Sequence, residues 1–87
     1  MRKIWHDETW EEYLYWQTQD KRTLNKINNL LKDIGRNGYN CIGKIEPLRG
    51  DWTGFYSVRI DSKNRIIFRI FDDVIEIAQC GSHYGDK

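Results

Sequence analysis

The sequence predicts an α+β domain in which two N-terminal helices pack on one face of a mainly antiparallel sheet. Two patterns carry that prediction. The first half of the chain holds two helix-period apolar stretches joined by a short turn, and the second half holds three strand-like runs joined by Asp61-Ser62-Lys63-Asn64 and Asp72-Asp73. No repeat, low-complexity tract or linker interrupts them, and 87 residues amount to one compact domain, residues 1–87. So short a chain buries only about 60% of its unfolded surface. Its core must be dense, and four Trp, five Tyr and three Phe meet that need.

In chain order, Arg2 to Trp5 is a candidate first strand. Thr9-Trp10-Glu11-Glu12 has the capping-box pattern, a hydroxyl followed three positions later by a carboxylate, and Asp7 is a competing cap. Trp10, Tyr13, Leu14 and Gln17 then share one face of a first helix, with Tyr15 and Trp16 on its flank. Asp20 is placed to cap a second helix, in which Leu24, Ile27, Leu31 and Ile34, with Leu30 beside them, form a clean apolar stripe. Gly35 and Gly38 are expected to end it. Such a hairpin needs a sheet to cover.

Residues 54–60, 65–71 and 74–80 supply the sheet. Their connections are too short for crossovers, so neighbours run antiparallel. With Asp72-Asp73 as a two-residue loop, Phe71 pairs with Val74, Arg69 faces Glu76 and Arg65 faces Cys80. Alternation then gives the sheet one apolar face: Ile66, Phe68, Ile70, Ile75 and Ile77, joined by Tyr56, Val58 and Ile60. The opposite face carries Arg65, Ile67, Arg69, Glu76, Ala78 and Cys80, joined by Phe55, Ser57 and Arg59 if the first hairpin loop is odd in length. Three arginines gather there.

Charge and hydropathy exclude several classes. The net charge is +1; residues 1–43 carry seven basic and six acidic side chains, residues 44–87 seven of each. There is no chain-wide nucleic-acid footprint, so a nucleic-acid partner rests on a local cluster. A mean hydropathy of −0.78 with no apolar run near the ~18 residues of a span excludes an integral membrane protein. The basic start lacks the apolar segment of a secretory signal. Cys41 and Cys80 are too few for a disulfide framework, so a reduced, cytoplasmic setting is expected. With two distant His there is no ligand spacing for structural zinc, and no metal or other cofactor is expected.

Converging guanidinium groups suit phosphate oxygens. Arg69 has Glu76 opposite and reads as a cross-strand pair, whereas Arg59 and Arg65 have no carboxylate opposite. In Gly43-Lys44-Ile45-Glu46-Pro47-Leu48-Arg49-Gly50, Pro47 biases Glu46 to extended backbone. Lys44 and Arg49 flank its carboxylate and would keep it ionised, ready to accept a proton. An ordinary solvated charge cluster on a loop accounts for the same residues. Near the C-terminus, His83 is a proton donor and Tyr84 a ring able to stack on a base; both types are also common surface residues. Alternation sends His83 to the core face unless the chain turns or bulges after Cys80. Together these are the parts of a metal-free ribonuclease: base, acid, phosphate clamp and stacking ring.

Ile4-Trp5, Trp10, Tyr13-Leu14-Tyr15-Trp16-Gln17, Asp20-Lys21-Arg22, Lys26-Ile27-Asn28, Gly43-Lys44, Glu46-Pro47-Leu48, Gly54-Phe55, Arg59-Ile60, Asn64-Arg65 and His83-Tyr84 closely resemble the YoeB (Txe) toxins of the RelE/ParE superfamily. The resemblance spans essentially the whole chain. It implies a RelE-like fold and the toxin of a type II toxin–antitoxin pair, one that enters the ribosomal 30S A site and cleaves mRNA with the RNA's own 2′-hydroxyl as nucleophile. Mapped by motif, Glu46 is the general base, His83 the general acid, and Arg65 stabilises charge on the phosphate. Arg59, Lys44 and Arg49 assist in binding it, and Tyr84 places a base. The implied partners are a YefM/Axe-like antitoxin, the ribosome with its mRNA, and a second toxin copy. The first helix, aromatic on more than one side, is the candidate partner surface. The sequence departs from the family at Arg49, where Lys is common, at Gly81-Ser82, where Arg-Tyr is common, and in Gly85-Asp86-Lys87 beyond the usual terminal Tyr. The alternatives are a ParE-like toxin that acts without catalysis, or a protein-binding module of the same fold. Neither would need the Glu46, His83 and Tyr84 set.

Overall fold

The computed structural model of this chain describes residues 1–81. Strand β1 (Arg2–Trp5) is followed by helices α1 (Asp7–Gln19) and α2 (Lys21–Asn37), then by strands β2 (Ile45–Pro47), β3 (Tyr56–Arg59), β4 (Arg65–Phe71) and β5 (Val74–Gly81). The five strands form one sheet in the order β1-β5-β4-β3-β2. β1 runs parallel to β5 and every other neighbour is antiparallel. The short strand β2 is the element the sequence reading leaves as a loop. Three residues with a proline among them are too few for a strand signal, and Pro47 is tolerated because β2 lies at the sheet edge.

Helix α2 forms as its sequence predicts. Asp20 Oδ1 accepts from the backbone N–H of Arg22 at 3.0 Å and of Thr23 at 3.3 Å, which satisfies two of the helix's orphan donors. Ile27, Leu31 and Ile34 are buried. Gly35 lies inside the helix rather than ending it; Gly38, at φ 59°, supplies the stop.

Helix α1 departs from expectation. Neither Thr9 nor Asp7 caps it: His6 is the N-cap residue, and its side chain makes no capping hydrogen bond to the helix. Thr9 faces inward, with its hydroxyl buried and unpartnered among the described residues. The inward stripe is therefore Thr9, Tyr13 and Trp16, at helical spacing, while Trp10 and Leu14 remain 43% and 37% exposed. Long-range contacts set this rotation. Trp16 donates its indole N–H to the Cys80 carbonyl at 2.9 Å, and Tyr13 donates its hydroxyl to Asn28 Oδ1 at 2.7 Å.

The β4–β5 hairpin begins in the expected register, Phe71 opposite Val74 and Arg69 opposite Glu76, through the pair Phe68 and Ile77. Asp72 and Asp73 both adopt positive φ, as a tight two-residue turn requires. A bulge then intervenes, and Ile67 pairs with Gln79, Ile66 with Cys80, and Arg65 with Gly81. Cys80 consequently belongs to the core, not to the arginine face; Gly81 takes the place expected for it opposite Arg65, and Gln79 joins the arginine face opposite Ile67. The same shift removes the premise that put His83 on the core face; His83 and Tyr84 lie outside the described residues.

One layer of core lies between helices and sheet, with Ile27, Leu31 and Ile34 packed against Val58, Ile60, Ile66, Phe68, Ile75, Ile77 and Cys80. Both helices lie on that side. The other side of the sheet is left for Arg59, Arg65 and Arg69. None of the helices among the described residues is long and apolar enough to cross a membrane.

Candidate functional site

Two local devices set the arginine pair. Asp61 Oδ1 accepts from the backbone N–H of Lys63 and of Asn64, each at 2.8 Å, and closes the β3–β4 loop as an Asx turn. Burial opposes ionisation of Asp61, but these bonds and those from the Asn64 side chain outweigh it and lower its pKa. With Ile60 N–H donating to the Asn64 carbonyl at 2.9 Å, the five residues 60–64 form the loop, odd in length, and Arg59 stands directly opposite Arg65. Like charges so placed repel. The guanidinium of Arg65 is drawn instead toward the next pair along the strands: its Nη1 lies 3.4 Å from Ser57 Oγ and 3.9 Å from Glu46 Oε1.

Glu46 reaches that position because β2 pairs with β3 and places Glu46 opposite Ser57. The strands that carry Glu46 and Arg65 are thus two spacings apart, about 10 Å, and the two side chains meet diagonally above the small Ser57. Glu46 remains 69% exposed and Arg65 32%. The lead-in to β2 is pinned by Asp33, whose Oδ2 accepts from the backbone N–H of Ile42 at 2.7 Å and of Gly43 at 3.2 Å. A hydrogen bond from the Asn37 side chain, with those two behind it, lowers the Asp33 pKa. At Gly43 a Cβ would stand 3.0 Å from a Val58 methyl, so only glycine lets the loop approach so closely.

Not every expected contact forms. Lys44 and Arg49 are exposed on either side of β2 and make no ion pair with Glu46 among the described residues; the cation nearest its carboxylate is Arg65, from another strand. Arg59 is exposed at the end of β3 without an ion pair among the described residues. Arg69 is committed elsewhere. Its Nε donates to Glu76 Oε1 at 2.5 Å, and its guanidinium lies 4.9 Å from the Phe55 ring centre and 5.2 Å from that of Phe71. His6 completes this group at 2.7 Å from Glu76 Oε2. Burial opposes ionisation of Glu76, yet the bonds from His6 and Arg69 prevail and lower its pKa.

A third device has no local sequence signal. β1 covers the edge of β5 only as far as Ile77, and beyond it helix α1 takes over: Glu12 Oε1 accepts from the Cys80 N–H at 2.8 Å, and Trp16 donates to the Cys80 carbonyl. Both polar groups of one residue's backbone are held from the helix. This clamp sits three residues before His83.

The arrangement brings a solvent-accessible carboxylate, a guanidinium beside it and a second guanidinium together on one sheet face. A phosphodiester seated there would meet planar cationic donors and, within reach, a proton acceptor. Two helices behind a five-stranded sheet make the fold of a RelE-like toxin. The chain belongs to the family of YoeB-like toxins of bacterial type II toxin-antitoxin systems, which matches residues 5–84. The Toxin YoeB of Escherichia coli is 45% identical over 84 residues, covering 97% of this chain and 100% of that one. In the YoeB-YefM complex from Staphylococcus aureus, the similar chain is 40% identical with a TM-score of 0.89, over 97% of this chain and 98% of that one. The YoeB dimer from the same organism gives 41% identity and a TM-score of 0.86, at the same coverage.

Proposed function

We propose that this toxin is a ribosome-dependent mRNA endoribonuclease that needs no metal. The observation that carries the proposal is the Glu46 carboxylate 3.9 Å from the Arg65 guanidinium, on a sheet face where neither Arg59 nor Arg65 has a carboxylate opposite. Glu46 takes the proton from the ribose 2′-hydroxyl, and the 2′-oxygen attacks the adjacent phosphorus. The bond from phosphorus to the 5′-oxygen breaks as His83 gives that oxygen a proton, leaving a 2′,3′-cyclic phosphate and a 5′-hydroxyl. Arg65, assisted by Arg59 and Lys44, stabilises charge gathering on the phosphate oxygens. Arg49 binds the flanking backbone and Tyr84 stacks on a base. The roles of His83 and Tyr84 rest on the family's motif.

The near-neutral chain supports delivery of the message by the ribosome over attraction to bulk RNA, and in this reading the toxin acts in the cytoplasm. A YefM-like antitoxin is its partner in this reading, by likeness to the Staphylococcus aureus complex. Trp10, Leu14 and Tyr15, exposed on α1, are the surface offered to the antitoxin or to a second toxin copy. Incubation with ribosomes carrying a defined message tests the reaction. Cleavage in or beside the A-site codon, mapped by 5′-end sequencing, is expected; intact message with a folded toxin rejects the proposal.

A further inference from the structure

Among the described residues, three polar side chains are buried: Thr9, Ser57 and Gln79. The Thr9 hydroxyl has no partner among those residues, and Gln79 donates to the Gly81 carbonyl at 3.0 Å. Ser57 differs from both, because its hydroxyl meets a guanidinium of the candidate site. We infer that Ser57 is the positioning residue for Arg65, an inference that rests on the reaction proposed above.

The register poses the problem that Ser57 solves. Arg65 stands between Arg59 on one side and Gly81 on the other, so no paired neighbour attracts its side chain, and the charged one repels it. Diagonally across the strands lie Ser57 and Glu46, themselves paired. Ser57 is 1% exposed on a strand hydrogen-bonded on both sides, so its hydroxyl is a fixed acceptor, whereas Glu46 is an exposed side chain free to swing. The two attractions also fare differently during the reaction. Once Glu46 has taken the 2′-hydroxyl proton its carboxyl is neutral, and its pull on Arg65 is lost at the moment when charge builds on the phosphate. Ser57 does not change protonation state. It keeps the guanidinium away from Arg59 and aimed at the phosphate throughout. Its size matters as well, because Glu46 and Arg65 meet above it, and a longer side chain at 57 would stand between them.

A double-mutant cycle on single-turnover cleavage by programmed ribosomes tests this. Ser57→Ala is expected to lower the maximal rate about tenfold, the order of one hydrogen bond to a charged group, with the half-saturating ribosome concentration unchanged. Added to Arg65→Ala, it is expected to change the residual rate by less than about twofold. A full loss in both backgrounds, or none in either, overturns the inference. The ¹⁵N spectrum of the Arg65 guanidinium reads the same contact without cleavage. Distinct side-chain signals in the wild type that average in Ser57→Ala support the positioning role, and identical spectra overturn it. A wild type that cuts nothing would defeat the proposed reaction, and these spectra would still decide the role of Ser57.

Discussion

Arg65 and Arg69 have the same chemistry, alternate onto the same sheet face and lie four residues apart, yet the fold assigns them different tasks. Arg69 is paired with Glu76, and its guanidinium lies against the Phe55 and Phe71 rings. Arg65 has a longer, exposed carboxylate contact and one hydroxyl, which leaves its guanidinium available to an incoming anion. In the proposed reaction Arg65→Ala therefore costs about 100-fold or more in the chemical step, by analogy with loss of an oxyanion donor, while the thermal midpoint stays near that of the wild type. A variant that unfolds would make Arg65 structural. The cysteines are separated by environment in the same way. Burial, with the nearby Glu12 carboxylate, pushes the Cys80 thiol up to about 12, so it stays protonated and inert at neutral pH. Cys41 is also raised by burial, but it is only partly covered. Thiol reagents should modify Cys41 first in native protein, with Cys80 reacting only on unfolding; mass spectrometry of the labelled peptides checks the order.

At the level of elements, the end of β5 depends on a helix that precedes it by more than sixty residues. Removing the carboxylate in Glu12→Ala leaves the Cys80 N–H unpaired at a partly buried edge, which costs about 1–3 kcal/mol. Denaturant titration measures the loss, and amide exchange should place it at Cys80; a variant as stable as the wild type would show that water replaces the carboxylate without penalty. The β4–β5 turn responds in the opposite direction. Asp72 and Asp73 sit at φ 48° and 61°, where an asparagine followed by a glycine is preferred. The double substitution Asp72→Asn with Asp73→Gly should raise stability by about 1 kcal/mol, read as a higher denaturation midpoint with an unchanged slope.

Across the whole molecule, carboxylates tie loops and helices together. Asp20 caps α2, Asp33 holds the approach to β2, Asp61 closes the β3–β4 loop and Glu76 joins β5 to His6 and Arg69. All four have lowered pKa values in the fold. An unfolded chain then binds more protons than the native one in the acid range, so these groups stabilise fully above their unfolded values of about 4. Their contribution is lost as pH falls through the lowered folded values. Urea midpoints should hold level between about pH 7 and pH 5.5 on their account and drop below about pH 4. A midpoint unchanged at pH 3 would contradict this.

The stripe from Leu24 to Ile34, the Asp20 cap, the Asp72-Asp73 hairpin and the alternation that gathers three arginines are legible in the sequence, because each depends on residues a few positions apart. Alternation places Arg59 beside Arg65 once the β3–β4 loop is odd in length, as it is in the fold. Glu46 also stands out there, but with Lys44 and Arg49 as its partners, since those are its neighbours along the chain. The tertiary structure decided the rest: that Ile45–Pro47 is a strand, which carries Glu46 to Arg65 above Ser57; that a bulge moves Cys80 into the core; and that α1 turns Thr9, Tyr13 and Trp16 inward. Local pattern is silent on these points because their hydrogen-bond partners lie far away in sequence, 64 and 68 residues away for the two bonds that hold Cys80. A side chain's face follows from periodicity, whereas its partner across the sheet follows from a register that the assembled molecule sets.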